Sequence, residues 1–212
     1  GAVYEIIAAE DIITPDGTVR NQKGNVVDTV TTDETGTAVS RELYLGKYDV
    51  REIAAPNGMV LNPEPHCVEL VYAGQNVSVT ETATSFENER QKVEISLVKS
   101  IEQNERFGIG TNGEMKNISF GLFATEEIVS ASGTSIPANG LVEIISLDED
   151  GTAKIKTDLP FGSYYVQELA TDSHYKLSDT KYPVTFGYAS QDTAVVKIAV
   201  NGGNAVENKL IY

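Results

Sequence analysis

The sequence predicts an all-β protein built as two tandem β-sandwich domains, residues 1–90 and 91–212. Three observations carry the prediction. Short stretches of alternating apolar and polar residues recur along the chain, separated by turn signals, while helical periodicity is nearly absent. An ordered set of short motifs occurs twice, in the same order and at similar spacing. The pattern Gly-x-Tyr-x-Val-x-Glu is written once in each half, as Gly46–Glu52 and Gly162–Glu168.

Taken in chain order, Val3-Tyr4-Glu5-Ile6-Ile7 reads as the opening strand, and Gly1-Ala2-Val3 begins inside it, as in a piece of a longer protein. Helix is limited to short stretches such as Ala8–Asp11 and Ala124–Glu127, too short to stand alone. Pro15-Asp16-Gly17 and Glu34-Thr35-Gly36 are turns, and Gly46–Glu52 is a strand. In Pro65–Val71, Cys67 is expected to pack as a small apolar residue in a strand. His66 and His174 lie in loop-like surroundings and are expected to be solvated. The polar joint Asn88–Lys92 is short, which suits a stiff rod better than two freely tumbling domains. Val93–Lys99 opens the second domain. Phe120–Ile128 then repeats Tyr4–Ile12, and Gly151-Thr152-Ala153 repeats Gly36-Thr37-Ala38. After the second Gly-x-Tyr-x-Val-x-Glu strand come Val195–Ile198, the turn Asn201-Gly202-Gly203 and a closing strand from Val206. Each half closes on Glu-Asn, at Glu87-Asn88 and Glu207-Asn208.

Composition narrows the function classes. The 16 basic against 31 acidic residues give a formal charge of −15, spread along the chain. That leaves no basic footprint for nucleic acid and suits a surface that resists self-association. No EF-hand loop is present, and Asp148-Glu149-Asp150 reads as a solvated acidic turn rather than a calcium site. One cysteine permits neither an intramolecular disulfide nor a thiolate zinc site. No metal and no cofactor are implied. No apolar run reaches the roughly 18 residues of a membrane span, and no signal peptide opens the chain.

Period-two alternation then puts polar groups where core residues belong. Tyr48, Val50 and Glu52 share one face, as do Tyr164, Val166 and Glu168. Val93, Ile95, Leu97 and Lys99 share another, and so do Val206, Asn208, Leu210 and Tyr212. Each polar residue alone has an ordinary explanation: a lysine reaching back to water, a strand exit, a turn asparagine. Together they place an amine, a carboxyl and a carboxamide on apolar faces of one domain, with the Glu and Asn repeated in the other. Burying an unpaired carboxylate is costly. Desolvation lowers a lysine pKa and raises a carboxyl pKa, so both groups can become neutral. A neutral amine is a nucleophile. A protonated carboxyl can polarise an amide carbonyl and carry protons to departing ammonia. The product is a Lys–Asn isopeptide bond, driven by proximity.

These residues resemble the Cna B-type domains of Gram-positive surface adhesins and pilins. The likeness is carried by Leu97-Val98-Lys99, Phe120-Gly121-Leu122-Phe123, Gly162–Glu168 and Asn208-Lys209. In the first half it is carried by Gly1–Ile6, Gly46–Glu52 with Ala54-Ala55-Pro56-Asn57-Gly58, and Asn88. The resemblance implies immunoglobulin-like β-sandwiches of inverse topology and self-catalysed isopeptide bonds. It implies Lys99 as nucleophile, Glu168 as proton shuttle and Asn208 as electrophile. Glu52 and Asn88 are the first-half equivalents. Neither Lys23, in a turn-rich segment, nor Lys47, ahead of the glutamate strand, is in register with Lys99. Glu52 and Asn88 are therefore expected to face the core without a bond, beside an open sheet edge. Two departures, Thr171–Tyr175 in place of Ala-Pro-x-Gly-Tyr and a long segment after Lys99, are expected not to touch the triad.

The resemblance implies a structural stalk of an extracellular, cell-wall-anchored adhesin or pilus-associated protein. Its partners would be neighbouring domains of the same surface protein, with no membrane contact in this stretch. The chain would not be a turnover enzyme; its chemistry would occur once. The alternative is a domain that binds a host matrix protein or glycan, with Ser100–Asn117 as the recognition loop because it carries Gly108, Gly110 and Gly113. A glycosidase reading of Glu52 or Glu168 lacks a clearly paired second carboxyl.

Overall fold

The computed structural model describes residues 1–130 and 132–211, so Tyr212, assigned above to the face of Asn208, lies outside the described residues. The regular elements of the described residues are nearly all strands, in agreement with the predicted all-β class. They form two compact units: Gly1–Gln91 with Ser190–Ala194, and Lys92–Ala189 with the residues from Val195 on.

In the first unit the strands are β1 (Val3–Ala8), β2 (Ile12–Ile13), β3 (Val19–Asn21), β4 (Val26–Thr31), β5 (Gly46–Ala54) and β6 (His66–Leu70). One four-stranded sheet runs in the order β4-β1-β5-β6, all antiparallel. Its inward residues, Ile6, Ala8 and Tyr48 among them, gather with Ile12 and Val27 into a small core. Gly46 opens β5 at φ +150°, and a Cβ there would meet Ile12 Cδ1 at 2.6 Å, so the glycine of the repeated motif is a close-approach residue. Between residues 32 and 45, and again between 71 and 88, no strand is assigned.

The second unit contains β7 (Lys92–Ile101), β8 (Ser119–Ala124), β9 (Ile128–Val129), β10 (Ser135–Ile136), β11 (Leu141–Ser146), β12 (Thr152–Ile155), β13 (Gly162–Ala170), β14 (Tyr182–Phe186), β15 (Val195–Ala199) and β16 (Val206–Asn208). One sheet runs β11-β8-β13-β14. The other is centred on β7, which pairs antiparallel with β12 and parallel with β15 and β16. Val93, Ile95 and Leu97 from β7 meet Phe120 and Leu122 from β8 and Tyr164 and Val166 from β13 in a single core. That is a sandwich whose inner faces interdigitate.

The internal repeat is structural as well as sequential. β1 lies between β4 and β5 as β8 lies between β11 and β13, with Tyr4 opposite Glu52 and Phe120 opposite Glu168. Tyr48 and Tyr164 are each buried, and each hydroxyl donates to the carbonyl four residues upstream, Tyr44 O at 2.6 Å and Pro160 O at 2.7 Å. The repeated tyrosine therefore locks the turn ahead of its own strand.

Three local expectations differ. Ala8–Asp11 and Ala124–Glu127 are strand ends and bends, and the short helical turns fall at Glu114–Asn117 and Val200–Gly203 instead. Cys67 does lie in a strand but is exposed, because β6 turns His66, Val68 and Leu70 inward and Cys67 and Glu69 outward. His66 is accordingly not a loop residue; it stacks on Phe86 with ring centroids 3.9 Å apart.

Candidate functional site

β7 and β16 are parallel neighbours with Val206 opposite Lys99 and Asn208 opposite Ile101. Asn208 therefore sits diagonally two residues along from Lys99, within reach of a long side chain. β13 lies in the other sheet and brings Glu168 across the core. The same alternation that points Val93, Ile95 and Leu97 inward carries Lys99 with them. Lys99, Glu168 and Asn208 are 2%, 4% and 2% exposed.

Lys99 Nζ lies 3.7 Å from Glu168 Oε1 and donates to Val206 O at 3.1 Å. Asn208 Nδ2 donates to Glu168 Oε1 at 2.7 Å and to Thr171 Oγ1 at 3.0 Å. The second carboxyl oxygen, Oε2, accepts the Ser178 backbone N–H at 2.9 Å. Glu168 thus touches both other members of the group. Burial pushes the Lys99 ammonium down from 10.5 to about 8, against the opposing pull of the Glu168 carboxylate. At neutral pH a neutral amine is then within about one pH unit of half population.

Asn208 Oδ1 is buried and accepts no hydrogen bond among the described residues. Such an atom asks for an explanation. A half-turn of the amide would direct Oδ1 at Glu168, where a protonated carboxyl could donate to it. The two orientations of an amide are distinguished only by their hydrogen bonds.

Two backbone features hold the lysine. Its N–H donates to Gly151 O at 2.7 Å. Gly151 has φ +82°, and a Cβ there would strike the Lys99 carbonyl oxygen, so the Gly-Thr-Ala repeat places a glycine directly against the lysine backbone. The departure at Thr171–Tyr175 does reach the triad, contrary to expectation, because Thr171 Oγ1 accepts from Asn208. Tyr175 from the same stretch donates to Glu102 O at 2.9 Å, and Glu102 N–H donates to Asn208 O at 2.9 Å. The long segment after Lys99 is thereby tied to the closing strand. Its Glu114, buried, accepts the N–H groups of Gly110 at 2.9 Å and Asn112 at 2.7 Å, so much of this segment is folded on itself.

In the first unit Glu52 is 2% exposed and Asn88 is half-buried. Asn88 Nδ2 donates to Glu52 Oε2 at 2.8 Å and to Val60 O at 3.0 Å. The Asn62 N–H donates to the same Oε2 at 2.7 Å, the counterpart of Ser178 N–H on Glu168. The other oxygen, Oε1, accepts the Tyr4 hydroxyl at 3.3 Å. No cation pairs with Glu52 among the described residues. Tyr4 was not singled out from sequence. The available signal was that Tyr4 aligns with Phe120, so that only the first unit has a hydroxyl there. Burial first, and then the Glu52 carboxylate, raise the Tyr4 pKa.

Residues 1–85 and 108–203 match the SpaA prealbumin-like fold domain. The trypsin-resistant surface T6 protein of Streptococcus pyogenes serotype M6 is 26% identical over 147 residues, which are 67% of this chain and 26% of that protein. Among solved structures, the Bacillus anthracis TIE protein aligns with the whole of this chain and 31% of its own, at 23% identity and a TM-score of 0.55. GBS52, the minor pilin of Streptococcus agalactiae, aligns with the whole of this chain and 84% of its own, at 17% identity and a TM-score of 0.35. The chain spans about a quarter of the T6 protein and under a third of the TIE chain.

Proposed function

The chain belongs to the SpaA prealbumin-like fold domain family, and from that premise we propose that it is a stalk element of a Gram-positive cell-surface adhesin or pilus, outside the cell and attached to its wall. In this reading its second unit is tied shut by a Lys99–Asn208 isopeptide bond of its own making. The observation that carries the reading is the buried contact of Glu168 with both Lys99 Nζ and Asn208 Nδ2.

The chemistry follows from that contact. The Lys99 ammonium gives a proton to Glu168, leaving a neutral amine and a neutral acid in a dry interior. With the amide turned, Glu168 donates to Oδ1 and makes Cγ more electrophilic. Nζ attacks Cγ, the Cγ–Nζ bond forms, and Glu168 relays the amine proton to Nδ2. The Cγ–Nδ2 bond breaks and ammonia leaves. The proton that Glu168 took from the ammonium then passes to the departing ammonia, which leaves as ammonium, so Glu168 is a carboxylate again and the event is self-catalysed and single rather than a turnover.

The mechanical consequence supports a stalk. Lys99 lies on β7 and Asn208 on β16, the first and last strands of the unit. A covalent tie between them keeps tension from peeling either away, and it cannot be reduced as a disulfide can. It lets a surface protein with one cysteine do without bridges. Intact-mass measurement of the purified chain tests the reading: the expected mass is that of the sequence less one ammonia. A chain of full sequence mass would overturn it.

A further inference from the structure

One side chain at the Asn208 carboxamide comes from neither the strand alternation nor the repeated motif: Thr171. In the ladder of β13 with β8, Glu168 stands opposite Phe120 and Ala170 opposite Ser119, so Leu169 is an extra residue. Such a bulge shifts the phase of a strand and re-aims the side chains beyond it. Strict alternation would send Thr171, three residues after Glu168, to the opposite face. Past the bulge, Thr171 Oγ1 instead lies 3.0 Å from Asn208 Nδ2, the same nitrogen that Glu168 Oε1 meets at 2.7 Å. The first unit has the matching bulge, with Glu52 opposite Tyr4 and Ala54 opposite Val3. The residue that follows there is Ala55. Asn88 Nδ2 accordingly has Glu52 and the Val60 carbonyl as partners and no hydroxyl. The repeated architecture can thus be built without a threonine at this place.

Two hydrogen-bonding capacities at the carboxamide are idle. Asn208 Oδ1 is buried and receives no donor among the described residues. The Thr171 hydroxyl accepts from Nδ2, and its own hydrogen has no acceptor among the described residues. A carboxylate can only accept, a carboxylic acid can also donate, and a hydroxyl does both. While Glu168 is ionised, the carboxamide must show it Nδ2, and Thr171 accepts beside it. Once Glu168 holds a proton, a half-turn of the amide brings Oδ1 to the same two neighbours as donors. That single rotation uses both idle capacities, as buried polar groups normally require.

We infer that Thr171 is a further catalytic residue of the second unit, the second donor of an oxyanion hole, whose hydroxyl accepts Asn208 Nδ2 before the half-turn and donates to Oδ1 after it. This role rests on the Lys99–Asn208 reading given above. Attack of Lys99 Nζ on Cγ moves the carbonyl π electrons onto Oδ1, where preorganised donors act on the developing charge. Thr171 keeps its proton throughout; only Glu168 carries protons. With Thr171 holding Oδ1, Glu168 can give its proton to Nδ2 without leaving the oxyanion bare. The electron pair then returns to the carbonyl, the Cγ–Nδ2 bond breaks, and the nitrogen departs with the proton it received.

Cell-free synthesis of the whole chain, stopped in acid at intervals and read by intact mass, gives the rate at which one ammonia is lost. Thr171→Val keeps the branched shape without the hydroxyl and is expected to react about 100-fold more slowly. Thr171→Ala, the residue that the first unit carries, should be slowed alike, and Thr171→Ser should regain most of the rate. Urea unfolding of each variant in the Lys99→Met background, where no tie can form, reads folding separately from reaction. Equal rates for the unsubstituted chain and a folded hydroxyl-free variant overturn the role of Thr171 and leave the Lys99–Asn208 bond standing. A serine variant as slow as the valine one also overturns it, since packing and not the hydroxyl would then set the rate. An unsubstituted chain that stays at full mass overturns the bond itself, whatever the variants do.

Discussion

Glu168→Ala separates a covalent tie from a mere buried cluster. The substitution removes the oxygen 3.7 Å from Lys99 Nζ and the acceptor 2.7 Å from Asn208 Nδ2, so no group remains to move protons between them. The chain should keep its full sequence mass. The proposed tie would close a loop of roughly 110 residues, for which the chain-entropy model gives about 4–5 kcal/mol. Loss of the buried Glu168 hydrogen bonds adds about 1–3 kcal/mol, and Lys99 is left buried without its counter-ion. Near the transition 1 kcal/mol shifts the midpoint of a domain this size by roughly 3–5 °C. The second unit should therefore melt at least about 15 °C lower, as read by calorimetry. Asn208→Ala removes the electrophile but leaves the lysine–glutamate contact, and should lose the same tie with less secondary damage. The reasoning is refuted if Glu168→Ala still loses ammonia, or if all variants and the unsubstituted chain melt within a few degrees of one another.

Further outcomes follow from individual contacts. In Asn208→Ala, Lys99 is free to titrate with a pKa lowered from 10.5 to about 8. Between those values the unfolded chain binds more protons than the folded one, so stability rises with pH by up to about 3 kcal/mol and is lowest below pH 8. Urea unfolding at pH 7 and pH 9.5, against the Lys99→Met/Asn208→Ala double variant, should show that rise in the single variant alone. Gly151→Ala forces a side chain into a left-handed backbone against the Lys99 carbonyl; it should cost about 1–3 kcal/mol and leave part of the population at full mass. Tyr164→Phe deletes a 2.7 Å bond to Pro160 O and should cost about 1 kcal/mol in chemical denaturation.

Much of the protein was legible because a strand converts sequence position directly into side-chain direction. Period two placed Lys99 with Val93, Ile95 and Leu97, and Glu168 with Tyr164 and Val166, before any contact was known. The repeat was legible for the same reason, since its motifs mark turns and inward faces. Cys67 and His66 show the limit: a short strand can be read in either phase, and only its pairing with β5 settled which face His66 took.

The amino-acid order by itself determined the all-β class, the twofold repeat and the inward course of the amine and carboxyl, because alternation is a local property of extended backbone. Only the tertiary structure decided which groups meet. The parallel register of β16 on β7 sets Asn208 diagonal to Lys99, and the facing sheet brings Glu168 to both. The folding of Thr171–Tyr175 over them adds a hydroxyl to the carboxamide. In the first unit it was packing, not pattern, that put the Tyr4 hydroxyl on Glu52. Those are distances between residues far apart in the chain, and no local rule of backbone geometry encodes them.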